Sequence, residues 1–234
     1  MFLATHGVLR KESAYTPPVF SDIYSFNYDG LSDNLALPAS IGLGVTNSLS
    51  LWIKRENTAI AQPIGNNSAW SDYLVRLQTT KISYGRVPFL FTHATTLSTI
   101  NQTTSWTHLF FVRTGATCNL WVNGVNYDGA KTNSLSTHQN DFRTIGSSGD
   151  GATWLYKGDI DEVAVWDTDQ TSNQANICTS TPSDLSAYSP LGWYRAENGT
   201  FAGGSWTVTN AGSDSQSATS SNMTASNRTT DVPT

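Results

Sequence analysis

At 234 residues with a net charge of −5 and only 13% charged residues, the chain is long enough for one large domain but carries no Lys/Arg cluster able to track a phosphate backbone, which argues against nucleic-acid binding. Ser, Thr, Asn and Gly stand where charges would, and aromatic residues make up 11%, a mixture that suits short strands joined by polar turns and not long amphipathic helices. No apolar stretch reaches membrane-spanning length, and two cysteines are too few for a disulfide framework.

Residues 1–20 read as an arm. They hold Pro17, Pro18 and the basic pair Arg10 and Lys11 and lack a sustained period, so a neighbouring subunit is expected to tie them down. The same stretch has no apolar core or small-residue cleavage site of a signal peptide, and folding in a cytoplasm is expected.

Strand signals begin after Asp22. Ile23, Tyr24 and Phe26 lead into the turn dipeptide Asp29-Gly30, and Leu35 and Leu37 alternate before Pro38. Ser48–Lys54 is a period-2 strand with Leu49, Leu51 and Ile53 on one face. Tyr73–Leu77 and Ile82–Tyr84 follow. Trp106–Arg113 reads as a long central strand, apolar on both faces, and Cys118–Val122 returns from it to the hairpin turn Asn123-Gly124. Cys118 alternates with Leu120 and Val122 as a small buried hydrophobe, with a Cys118–Cys178 bridge left open. Phe142–Ile145, a Ser/Gly/Asp loop over 146–151 and the strand Asp159–Trp166 come next. A helical turn is expected over Thr171–Ile177, capped by Thr171 or Ser172. Strand character returns at Leu191–Arg195 and again around Trp206 and Val208. Many short strands at near-regular spacing predict an all-β sandwich.

Five pieces recur in the order of one known pattern. Ser25–Asp33 (SFNYDGLSD) resembles an FDG..D opening with two residues inserted after the Phe. Ser48–Lys54 resembles FTISLWVK, Trp106-Thr107-His108 resembles W-x-H, Leu120–Gly124 resembles LYVNG, and Gly158–Trp166 resembles G-x-IDEVRIY. This is the pattern of the laminin-G-like branch of the concanavalin A-like lectin/glucanase superfamily, spanning about residues 23–178. The resemblance implies an antiparallel β-sandwich of jelly-roll topology, but no particular function. Leu191–Arg195 with Asn210–Ser213 is similar to the strand and loop that usually precede the FDG turn, yet here follows the last strand. The expectation is that this C-terminal strand, within 190–210, packs back beside Ile23–Phe26 and completes the sheet; a truncated second repeat is the alternative. The domain is therefore expected over 21–225, with 226–234 as an exposed tail.

Glucanases on this fold use an E-x-D-x-E strand. Here Asp159-Ile160-Asp161-Glu162 stands instead, with Asp159 and Asp161 on one face and Glu162 on the other. A retaining pair needs carboxyls ~5–5.5 Å apart, so no enzyme is expected. The scattered His6, His93, His108 and His138 adjoin no nucleophile motif. Family members often hold a structural calcium, and the resemblance implies Asp29, Asp33 and Asp161 as its ligands. Calcium takes about six to eight oxygens, and the simpler reading of these aspartates is as turn caps. Trp52, Trp106, Trp121, Trp166 and Trp193 fall inside strands and are read as core. Trp70 and Trp154 flank polar loops and are the expected ligand-stacking aromatics.

The arrangement of this domain followed by PSDLSAYSPLGWYR (182–195), together with His6–Leu9, resembles virion proteins of tailed, mostly marine phages. That resemblance implies a non-catalytic structural or decoration protein on the exterior of a phage particle, made in the host cytoplasm. It would be a homo-oligomer whose N-terminal arm docks on capsid or appendage subunits. The alternative is a carbohydrate-binding module for host polysaccharide, with an exposed Trp or Tyr beside Asn and Asp in a loop-lined groove.

Overall fold

The computed structural model describes residues 20–66, 73–86, 89–94, 105–133 and 138–234. The arm expected over 1–20 therefore lies outside the described residues, apart from Phe20. In chain order the strands are β1 (Ser25–Asp29), β2 (Asn34–Gly44), β3 (Thr46–Arg55), β4 (Ala61–Gly65), β5 (Tyr73–Leu77), β6 (Lys81–Arg86), β7 (Phe89–Ala94), β8 (Thr107–Thr114), β9 (Thr117–Val122), β10 (Val125–Asn126), β11 (Lys131–Thr132), β12 (Asn140–Ile145), β13 (Lys157–Trp166), β14 (Gly192–Tyr194), β15 (Gly199–Ala202), β16 (Ser205–Val208), β17 (Ala218–Ser221) and β18 (Arg228–Thr229). They form two antiparallel sheets, the expected sandwich. The first runs β10-β9-β8-β3-β13-β1-β18, with β11 on β9 and β14 on β13; the second runs β15-β16-β17-β2-β12-β4-β5-β6-β7.

Strand alternation sends one set of side chains inward from each sheet. Leu49, Leu51 and Ile53 of β3 and Leu109 and Phe111 of β8 meet Leu35 and Leu37 of β2, Tyr84 of β6 and Phe142 of β12 in the main core. Tyr84 stacks on Phe111 with centroids 4.7 Å apart, and its buried hydroxyl donates to Asn47, so the phenol's polar end is satisfied.

The apolar outer positions of β8 have a separate cause. Phe110 and Val112 join Trp121, Ala164, Trp166, Trp193, Ile177 and Leu185 in a second cluster. The segment between β13 and β14 covers that outer face. It contains the 3₁₀ turn Thr171–Asn173, the single-turn helix α1 (Gln174–Ile177) and the 3₁₀ turn Ser186–Tyr188. The helical turn is where it was expected, but neither Thr171 nor Ser172 caps it; Asp169 accepts the Thr171 N–H at 2.8 Å. Trp121, Trp166 and Trp193, expected in the core between the sheets, lie in this outer layer. A period-2 pattern separates two faces but does not say which is inner. Cys118 and Cys178 are both free, Cys118 in the main core and Cys178 against the outer cluster. Among the described residues no helix is long and apolar enough to cross a membrane.

The C-terminal segment completes both sheets. β14 pairs with β13, and β15, β16 and β17 extend the second sheet onto β2. Residues 226–234, expected as an exposed tail, are drawn back: β18 pairs with β1, and Asp231 bonds Lys54 and Trp106.

Candidate functional site

Loop 146–156 joins β12 to β13 and carries Trp154. Asp150 shapes it. Its carboxylate accepts the Ser148 hydroxyl and the N–H groups of Ala152 at 2.9 Å and Thr153 at 3.1 Å. Burial pushes the Asp150 carboxyl up, but these bonds outweigh it and hold the pKa below the ordinary value. The Asn34 side-chain amide of β2 donates to the Gly151 carbonyl at 2.7 Å, and the Gln62 backbone N–H of β4 donates to the Trp154 carbonyl at 2.8 Å. The loop is thereby fastened at both ends to the second sheet. Trp154 takes φ 52° and stays 39% exposed, with the Arg76 guanidinium 4.9 Å from its ring centre. The same loop walls a groove of about 290 Å³ with Asn34, Arg143, Asp150, Ser221 and Asn222. The other predicted aromatic, Trp70, lies outside the described residues.

The three aspartates expected to share calcium do not converge. Asp29 Oδ1 accepts the N–H groups of Leu31 (2.7 Å), Ser32 (2.9 Å) and Asp33 (3.1 Å). Asp33 Oδ2 accepts the Asp29 N–H at 3.1 Å and the Asn227 amide at 2.7 Å. Both are occupied as turn caps.

Asp161 belongs to a different group. β13 bulges, with a register shift between Asp161 and Ala164 against β3 and Glu162 at φ 48°. The bulge overrides the alternation expected to send Glu162 to the face opposite Asp161. Asp22, Asp161, Glu162 and Glu197 bring oxygens within 4.8 Å of one another. Glu162 is held by Arg195 Nε at 2.7 Å and the Trp193 indole N–H at 2.6 Å. Glu197 Oε1 accepts the N–H groups of Ile23 (2.7 Å) and Tyr24 (2.9 Å). Among the described residues no donor reaches Asp161 Oδ2 or either Asp22 oxygen. Burial, reinforced by Glu162 and Asp22, drives the Asp161 pKa well above the carboxylate range. Burial likewise lifts Asp22 to about 6 and Glu162, against the pull of Arg195, to about 7. Four carboxyls thus face one guanidinium. Hard oxygens without donors are the chemistry calcium takes, so this donor set fits the cation the family implies, where Asp29 and Asp33 do not. Asp22, Asp161 and Glu197 would hold it, and the ion would cancel their repulsion. Of these residues only Asp161 was singled out in the sequence; Glu197 lies just beyond the GWYR stretch, and Asp22 carries no motif.

A family model described as the concanavalin A-like lectin/glucanases superfamily matches residues 29–178. A Bacteroides ovatus protein to which carbohydrate binding is provisionally attributed superposes with a TM-score of 0.66 at 13% identity, over 90% of this chain and 60% of that one. This chain thus spans less than two thirds of that protein. A heptameric SAP-like pentraxin from Limulus polyphemus superposes with a TM-score of 0.52 at 16% identity, over 70% of this chain and 86% of that one. At such identities the likeness is one of fold. A comparison with curated proteins finds no match.

Proposed function

The chain belongs to the concanavalin A-like lectin/glucanases superfamily, and from that premise we propose that it is a non-catalytic carbohydrate-binding module acting through loop 146–156. The observation that carries this is the exposed Trp154 on a braced loop that also walls a groove of Asn, Asp, Arg and Ser side chains. Trp154 stands outside the groove's own lining, but an aromatic face for C–H groups on the same loop as amides and carboxylates for hydroxyls is a sugar-recognising combination. The non-catalytic part rests on the acidic cluster. Asp161 and Glu162 are buried, Glu162 is tied to Arg195 and Trp193, Glu197 is engaged by the Ile23 and Tyr24 N–H groups, and the space Asp161 borders is about 10 Å³, too small for a glycosidic bond to lie between it and a second acid.

The finer proposal is that the module is displayed on the exterior of a bacteriophage particle, as a decoration or appendage subunit. Its support is the resemblance of residues 182–195 and His6–Leu9 to virion proteins. Residues 1–20 would dock on neighbouring subunits, including further copies of the chain.

A glycan array probed with the full chain tests the binding role. Binding to at least one saccharide class is expected, weakened about tenfold in Trp154→Ala; silence across the array removes the reading. A protein inventory of purified particles tests the location, and absence of the chain from them removes that.

A further inference from the structure

The outer face of the first sheet carries one buried aromatic, Trp52 of β3, that lies outside the cluster of Phe110, Trp121, Trp166 and Trp193 under the covering segment. Its inner face stacks on the His108 ring, with centroids 4.7 Å apart and planes at 28°. Here the covering chain stops short. Thr179 and Ser180 become the wall of a pocket of about 460 Å³, with Trp52, Trp106 and Asn123 around it.

The pocket is braced from below and from the side. Asp231 accepts the Trp106 indole N–H through Oδ1 at 2.9 Å and pairs with Lys54 through Oδ2. This ties the half-buried Trp106 ring to the rim. Asn123 spends its side-chain carbonyl on the His108 backbone N–H at 2.8 Å, which leaves the amide NH₂ on the pocket side. The rim thus offers a fixed carboxylate, an ammonium, an amide donor and the hydroxyls of Ser105, Thr179 and Ser180 around two indoles. Its volume lies in the range of small-ligand sites, ~300–1,000 Å³.

The charges narrow the ligand. Lys54 is already matched by Asp231, and Asp159 stands close enough to both to feel their charge. Among the described residues that line the pocket, no unmatched cation remains to receive a carboxylate or phosphate.

We propose that this pocket is a second binding site, distinct from loop 146–156, that takes one or two units of a neutral saccharide against Trp106 with its hydroxyls on Asp231, Lys54 and Asn123. The proposal rests on the carbohydrate-binding reading for its ligand class, but not on the loop site. With one site on each sheet, a single chain could bridge two glycan strands.

The test uses the full chain, uniformly labelled with nitrogen-15, titrated with maltose, cellobiose and lactose and, as acidic comparisons, glucuronic acid and sialyllactose. The expected result is a shift of the Trp106 indole N–H resonance with a neutral sugar, and about tenfold weaker binding in Trp106→Ala and in Asp231→Asn. Asp231 is largely exposed, so its substitution spares the fold even where loss of Trp106 does not. A sugar whose binding survives both substitutions but is lost in Trp154→Ala overturns the second site and leaves the carbohydrate reading standing. A response to the acidic sugars alone overturns the neutral assignment. Silence with every sugar here and across the array removes both.

Discussion

Tyr194 and Phe26 lie on one strand line: Tyr194 pairs with Val163 and Phe26 with Ile160, on the same edge of β13. Both segments run antiparallel to β13, so β14 points into β1 although it follows it by more than 160 residues in the chain. The two meet at the bulge, where Arg195 and the acidic cluster fill the gap. Phe26 then packs edge-on against Trp206 of β16, centroids 5.2 Å apart. Without the C-terminal segment, β13 and β2 would each lose a partner strand and the core would lose Tyr194, Trp206 and Val208. A chain ending at Ser189 is therefore expected not to fold cooperatively. Conversely, a permutant starting at Ser183, with residue 232 joined to Ile23 by a short Gly/Ser linker, is expected to fold, because Ser25 already hydrogen-bonds the Asp231 carbonyl at 2.6 Å. Circular dichroism melts distinguish the outcomes; a folded truncation or an unfolded permutant would contradict the shared strand line.

Much of this was legible in the sequence, and the omissions have physical causes. Leu49, Leu51 and Ile53 declared a buried face by alternation alone. GWYR declared a strand and, through its resemblance, that it would complete the sheet, which it does in line with β1 along β13 and not beside it. The bulge at Glu162 was not legible, because one extra residue in a strand leaves the hydrophobic pattern on either side intact. Trp52 and Trp106 looked like core residues because both read as strand positions, although β8 begins only at Thr107; their role at a pocket depends on where Thr179 and Asp231 arrive, which only the tertiary fold decides.

Gly146 gives a backbone test. It takes φ 88°, and a Cβ there would lie 2.4 Å from the ring of the fully buried Tyr28. Gly146→Ala combines left-handed strain with overpacking and is expected to cost about 2–4 kcal/mol. Urea unfolding measures it, and a loss within ~0.5 kcal/mol would show that the Tyr28 ring yields freely.

Among the described residues Arg195 is the one cation paired with the acidic cluster. It holds Glu162 and packs its guanidinium against both Phe20 and Trp193, 4.5 and 5.0 Å from their ring centres. Removing one partner of a buried pair costs about 3–5 kcal/mol, but Glu162 escapes part of this by taking up a proton. Arg195→Met is therefore expected to cost about 2 kcal/mol at pH 8 and less at pH 5. Urea unfolding at both values checks it; an equal cost at each pH would mean that packing on the two rings, and not charge, holds the guanidinium in place.

The cluster also sets a pH dependence whose sign follows from its protons. Asp22 and Glu162 titrate at about 6 and about 7 in the folded chain, against 3.8 and 4.5 ordinarily. Between about pH 4 and 7 the folded state therefore holds more protons than the unfolded one, and stability at this site falls as pH rises through that window. His93 and His108 act oppositely. Burial lowers them to about 4 and about 3, so their contribution grows as pH rises towards the ordinary histidine value. The difference between the native chain and Asp161→Asn isolates the cluster from the histidines. In chelator, the variant is expected to be more stable than the native chain by about 1–2 kcal/mol at pH 7.5, with the gain gone at pH 4.5. Millimolar calcium is expected to raise the melting temperature of the native chain at pH 7.5 and to leave Asp161→Asn unmoved, because ion and proton compete for the same oxygens. If calcium moves neither chain while the pH difference persists, Asp22 and Asp161 share a proton, and no ion takes its place.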